Sequence, residues 1–180
     1  CTIMAQAGMY VPCSEFIYKP YKSLYTRILG NDDIFKGLSS FAVEMSELKS
    51  ILKGDENSLI LGDELCNGTE INSALRIFVA GLMMLNKNNC SHIFATHFHE
   101  ITKMNEIVNL KTLVMKHMEV IFDREKGSLI YDRKLKDGPG TNNYGLLVCK
   151  SLGLPAEFIK IAENIELDVK LLNENILKNK

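Results

Sequence analysis

An excess of charge of one sign is missing from this chain: 21 Lys and Arg residues stand against 22 Asp and Glu, giving a formal net charge of -1 and a pI near 6.5. A basic field that would hold nucleic acid along the whole surface is excluded, so any contact with a polyanion must be local or supplied elsewhere. No apolar run approaches the roughly 20 residues that a membrane-spanning helix needs, and no leader pattern opens the sequence. The 5 cysteines are odd in number and widely spaced, and no CxxC pair points to zinc or redox chemistry. Buried or idle thiols in a reducing compartment are expected, and with them an intracellular location. Also absent is a phosphate loop of the form GxxxxGK[ST], because neither Gly30 nor Gly37 has the required companions.

What is present reads as one globular α/β domain. Of the 180 residues, 46% are apolar and 24% charged, an ordinary balance that can bury a sizeable core. Cys1 to Tyr10 reads as the end of an apolar helix without its start or an initiator Met, so a fragment or one piece of a split gene is expected. Short β-like runs are predicted at Glu15 to Tyr18 and Leu24 to Leu29, with Pro20 between them as a breaker. From Phe41 to Leu52 apolar residues recur at helical spacing behind a candidate cap at Ser39 or Ser40, and Gly54 ends that helix.

Ser58 to Gly62 is predicted as a buried strand. A helix follows, with Thr69 as its cap, Glu70 in its first turn and an apolar stripe of Ile71, Ala74, Leu75, Phe78, Val79, Leu82 and Met83. A second strand from Ser91 to Thr96 completes a strand-helix-strand unit, the pattern of a right-handed parallel crossover. Thr112 to Phe122 and Ser128 to Leu135 predict a β-hairpin around the turn Asp123 to Gly127. Helices are predicted from Tyr144 to Leu152, stopped by Gly153, and from Pro155 through Ile161, Ile165, Val169 and Leu172.

Three strings carry chemistry. Ser58-Leu-Ile-Leu-Gly-Asp-Glu64 delivers two adjacent acids at a strand's C-terminal end, where ligands of parallel sheets gather. In a nucleotide hydrolase the first acid steadies magnesium through water and the second orients or deprotonates the attacking water. Taken alone, the string fits the mere start of a loop equally well. Ala95-Thr-His-Phe-His-Glu100 ends the next strand, where His97 could sense charge on a γ-phosphate; the rivals are an ordinary loop histidine and a zinc site of His92, His97, His99 and Glu100. Gly37-Leu-Ser-Ser-Phe-Ala-Val-Glu-Met45 sets hydroxyls at a helix N-terminus, a position that favours phosphate but that capping alone also explains.

In order along the chain, Gly8-Met-Tyr-Val-Pro12, Leu24-Tyr-Thr-Arg27, Asp32-Asp33, Ser40-Phe-Ala-Val-Glu-Met45, Asp63-Glu-Leu-Cys-Asn-Gly-Thr69, Ala95-Thr-His97 and Asn143-Tyr-Gly145 resemble the blocks of the MutS ATPase, and the resemblance spans nearly the whole chain. It implies a P-loop NTPase core of the ABC type with a mainly parallel sheet, a β-hairpin and a C-terminal helical dimerisation element. Residues 1–153 would be the ATPase domain without its Walker A strand and loop, and 154–180 the dimerisation element and tail.

By the same resemblance Asp63 and Glu64 are the Walker B acids, Asp63 toward magnesium and Glu64 as base, and His97 is the switch histidine. Ser39 with Gly37 resembles the signature loop that reaches the partner subunit's nucleotide, and the loop containing Asn67 and Thr69 crosses the dimer interface. Cys66 and Asn67 stand where the family has Gly-Arg. The implied cofactors are ATP and Mg, and the implied partners are a second MutS-type subunit and mismatched double-stranded DNA. Two other readings are a homologue acting in recombination or on branched DNA, and a non-catalytic dimerisation module that supplies residues in trans.

Overall fold

The computed structural model describes residues 1–28, 40–66, 68–123, 125–140 and 144–165. They form two compact units, 1–113 and 114–180. In the first unit the element order is α1 (Thr2–Gln6), β1 (Ser23–Arg27), α2 (Ser40–Ile51), β2 (Ser58–Asp63), α3 (Ile71–Lys87), β3 (Ser91–Ala95), a short 3-10 turn (His99–Lys103) and α4 (Asn105–Val108). The strands make a parallel sheet in the order β1-β2-β3, with Tyr25 opposite Ile60 and Ile60 opposite His92. The α/β class and the crossover expected from the sequence are present.

Alternation along the strands decides which face is covered. Tyr25, Ile60 and Phe94 turn toward α2 and α3, where Ile51, Leu85 and Cys90 close a core around Ile60. Gly62 lies beside Phe94 on that face, and a Cβ there would stand 2.1 Å from the ring. The space it leaves lets Phe94 lie across the strand and meet Phe78 of α3 edge to face, with ring centroids 5.6 Å apart. On the opposite face Ile28 and Ile93 are each 67% exposed. α1 is tied to the segment before β1 by the Gln6 side chain, which donates to the Tyr21 carbonyl at 2.9 Å and accepts its amide at 3.0 Å.

Several boundaries differ from the sequence reading. Glu15 to Tyr18 is not a strand; Phe16 and Tyr18 instead stack on each other at 5.1 Å. An alternating run becomes a strand only where a neighbour can take its backbone hydrogen bonds. Glu70, not Thr69, holds the N-cap position of α3, and the Ser73 hydroxyl donates to its carboxylate at 2.7 Å. In α3 the buried stripe runs through Ala74, Phe78, Val79, Leu82 and Leu85, while Ile71 and Met83 are exposed. The 3-10 turn and α4 were not legible as elements, being short and without apolar periodicity.

The second unit holds an antiparallel hairpin of β4 (Lys116–Asp123) and β5 (Ser128–Asp137), followed by α5 (Tyr144–Ser151) and a helix over 156–165. Asp123 Oδ1 accepts the amides of Glu125 and Lys126 at 3.0 and 3.1 Å and so shapes the turn. The register shifts between Met118 and Val120, opposite a stretch of β5 where Arg133 has a φ of 53°. Gly153, at φ 72°, ends α5, and the Leu154 amide returns to the Cys149 carbonyl at 3.1 Å. In the last helix Ile159 is buried, whereas Ile161 and Ile165 are exposed and Val169 and Leu172 lie outside the described residues. No helix among the described residues is long and apolar enough to cross a membrane.

Candidate functional site

Parallel strands bring their C-terminal ends to one margin of the sheet. β2, the middle strand, ends on Asp63, whose register partner is Ala95, the last residue of β3. The Glu64 amide then donates to the Ala95 carbonyl at 3.0 Å, and Glu64 adopts a φ of 47°. The strand therefore ends where the two acids meet, and the left-handed turn at Glu64 frees them from strict alternation. Asp63 lines a shallow hollow of about 170 Å³ together with Arg27, Ile28, Leu61, Gly62, Ile93 and Ala95.

His97 is exposed and lies just beyond the end of β3. Its ring centroid is 4.9 Å from that of Phe98, whose amide is fixed by Thr96 Oγ1 at 3.1 Å. Asp63, Glu64 and His97 are thus brought to one end of the sheet by adjacent strands. The imidazoles of the rival zinc set are differently placed: His92 lies inside β3 with Nδ1 3.0 Å from the Cys90 carbonyl, and His99 opens the 3-10 turn. Among the described residues no group of three or more His, Cys, Asp or Glu side chains could hold a metal ion.

The loop after β2 is held tightly. Leu65 and Cys66 are buried, and Cys66 has a φ of 73°, a conformation that suits glycine. Burial, and secondarily the Glu44 carboxylate, pushes the Cys66 thiol up to about 11. Gly68 approaches the first turn of α2 so closely that a Cβ there would lie 3.2 Å from the Phe41 backbone. Thr69 is half-buried in the same loop. Gly37, Ser39 and Asn67 lie outside the described residues, as does the side chain of Ser40.

Sequence reasoning missed one group beside this loop. Arg27, the last residue of β1, is buried and reaches Glu44 of α2 at 3.0 Å and Glu47 at 2.9 Å. Its own chain supplies a further acceptor, the Ile28 carbonyl at 2.9 Å. A signal was present, since Arg27 falls on the same strand parity as the inward-facing Tyr25, and Glu44 and Glu47 share a helix face at i, i+3.

Comparison with known proteins decides what carries this arrangement. The family description MutS domain V matches residues 1–170. The chain belongs to the MutS family. The match is to the C-terminal ATPase domain of DNA mismatch repair MutS proteins. A mutS homologue of Acanthamoeba polyphaga mimivirus, named as a DNA mismatch repair protein, is 46% identical over 168 residues, covering 91% of this chain and 15% of the relative. A mitochondrial DNA mismatch repair mutS homologue of Sarcophyton glaucum is 44% identical over 147 residues, covering 81% of this chain and 14% of the relative. The DNA mismatch repair protein MutS of Staphylococcus aureus is 35% identical over 166 residues, covering 91% of this chain and 19% of its own length. This MutS domain therefore spans between 14% and 19% of the curated relatives it matches.

Proposed function

We propose that this domain supplies half of a composite ATP site in a MutS-type dimer, and that ATP binding and hydrolysis there drive clamping on mismatched DNA. The observation that carries the reading is the Glu64 to Ala95 hydrogen bond, which sets the two acids of β2 beside the segment leading to His97. Carboxylate oxygens suit a hard cation, so Asp63 would hold Mg, with water between them. Bound Mg would supply charge neutralisation at the phosphates. Glu64 would orient and deprotonate the attacking water, and His97 would donate to developing charge on the γ-phosphate.

Ser39 with Gly37, and Asn67 with Thr69, would contact nucleotide held by the partner subunit. The segment 154–180 would serve dimerisation. Location within the cell follows the parent protein, and one relative is named as mitochondrial. Glu64→Gln in a full-length protein carrying this domain is the test. Hydrolysis should fall while ATP-driven dimer closure persists, and unchanged turnover would remove the base assignment.

A second reading makes the domain a module that offers residues such as Ser39 in trans to nucleotide held by a partner with its own phosphate loop. It requires ATP-dependent association with such a partner, measurable by pull-down with and without nucleotide.

A further inference from the structure

The buried charge group at the end of β1 links the strand beside the acid pair to α2. Arg27 stands in register with Gly62, one residue before Asp63 on the neighbouring strand. Its guanidinium bridges to Glu44 and Glu47 of α2 at 3.0 and 2.9 Å, with only 7% of the Arg27 side chain exposed. Glu44 sits one turn along α2 from Ser40, the residue that follows Ser39 in the chain. The first turn of α2 also packs against the loop after β2, at the close approach of Gly68 to Phe41. Cys66 of that loop feels both the Glu44 and the Arg27 charge.

The guanidinium donates to the Glu44 carboxylate and the Ile28 carbonyl and so fixes direction as well as distance there, while it pairs with Glu47 through charge alone. A hydrophobic contact in the same place would hold the helix near the sheet but leave it free to slide or rotate. The two acids bring one charge more than Arg27 neutralises. Removing the arginine would leave the Glu44 carboxylate buried without its partner and close to half-exposed Glu47, which disturbs the seating of α2.

We propose that Arg27 is a positioning residue that sets the N-terminal turn of α2, which begins at Ser40, relative to Asp63 and Glu64. The role rests on the composite-site reading above. It predicts a specific split: ADP offers no γ-phosphate to the signature segment, so its binding should be indifferent to Arg27, whereas turnover should not.

The test uses a full-length protein carrying this domain, with Arg27→Gln, Glu47→Gln and Glu64→Gln compared. Arg27→Gln should lower kcat at least tenfold while the ADP dissociation constant stays within twofold, and Arg27→Lys should recover part of the loss. Glu47→Gln, on the half-exposed side of the cluster, should lower kcat two- to fourfold and decides the matter should Arg27→Gln fail to fold. A folded Arg27→Gln or Glu47→Gln protein with kcat within 1.5-fold of the parent, or one that loses ADP affinity in proportion to kcat, overturns the positioning role. If Glu64→Gln also turns over normally, the composite-site reading fails with it; an inactive Glu64→Gln beside an active Arg27→Gln overturns the positioning role alone.

Discussion

The Glu64 amide binds the Ala95 carbonyl at 3.0 Å, one residue beyond the last register pair of β2 and β3. This is the last ladder bond between the two strands, and the chain leaves the sheet at Glu64 itself. Two neighbouring acids on a continuing strand would face opposite ways. Here the left-handed φ of 47° at Glu64 breaks that alternation, so the chemistry expected of Asp63 and Glu64 depends on a backbone conformation that costs on the order of 1–3 kcal/mol in an ordinary residue.

Gly62 should not tolerate a side chain. A methyl at its Cβ position falls 2.1 Å from Phe94, and the ring is held on its far side by Phe78. Gly62→Ala is expected to destabilise the fold by about 1–3 kcal/mol, the usual range for overpacking. Denaturant titration of the two proteins measures it. Combining the change with Phe94→Leu should recover part of the loss, and no recovery would mean that strand backbone is responsible.

Cys66 should reverse the usual order of small substitutions. In a relaxed core position alanine is better tolerated than glycine, because glycine loses more backbone entropy on folding. At a φ of 73° alanine keeps the strain of the left-handed region while giving up the buried sulfur, whereas glycine releases that strain. Cys66→Gly is therefore expected to be more stable than Cys66→Ala by about 1 kcal/mol. Equal or inverted midpoints in urea would show that the loop is not strained there.

The same thiol gives a pH dependence. Burial holds it protonated up to about 11 in the folded chain, above the ordinary value of 9.0. Below about 9 the thiol is neutral in both states and its contribution to stability is intact; as pH rises from there to about 11 only the unfolded chain ionises, and stability falls. Cys90, raised by its own burial, adds in the same direction. Cys66→Ala should flatten this alkaline decline without removing it, and maleimide at pH 8 should label exposed Cys1 and Cys13 well before Cys66.

How much was legible in the sequence follows from what each element depends on. β2, α3 and β3 were readable because an unbroken apolar run and a helical stripe are local signals, and the acid pair and His97 came with them. The false strand at Glu15 to Tyr18 turns on a neighbouring strand, and the cap at Thr69 is a boundary shift of one residue to Glu70. The role of Arg27 is hidden in the sequence, since a charge inside a strand declares its burial only when the helix bearing Glu44 and Glu47 is folded over it. Ser39, Gly37 and Asn67 rest on resemblance alone.

The 180-residue chain by itself should neither bind ATP tightly nor hydrolyse it. Most of the binding energy for a triphosphate comes from a lysine and a cradle of backbone amides, and no GxxxxGK[ST] segment is present to supply them. Phosphate release from the purified chain should stay at the buffer background. Turnover comparable with that of a complete MutS protein would require a phosphate-binding element that the sequence does not contain.

The open face of the sheet should make the isolated chain associate. Parallel sheets are normally covered on both sides, yet Ile28 and Ile93 are each 67% exposed on the face opposite α2 and α3. Among the described residues β3 is also an edge strand, which adds unpaired backbone groups to the apolar surface. Sedimentation velocity across a concentration series should show a rising weight-average mass. Ile93→Lys introduces a charge at the edge without touching the core around Ile60, so it should weaken association while leaving the thermal midpoint within a few degrees. A chain that stays monomeric at high concentration, or a variant that associates as strongly as the parent, would remove the open face as the cause.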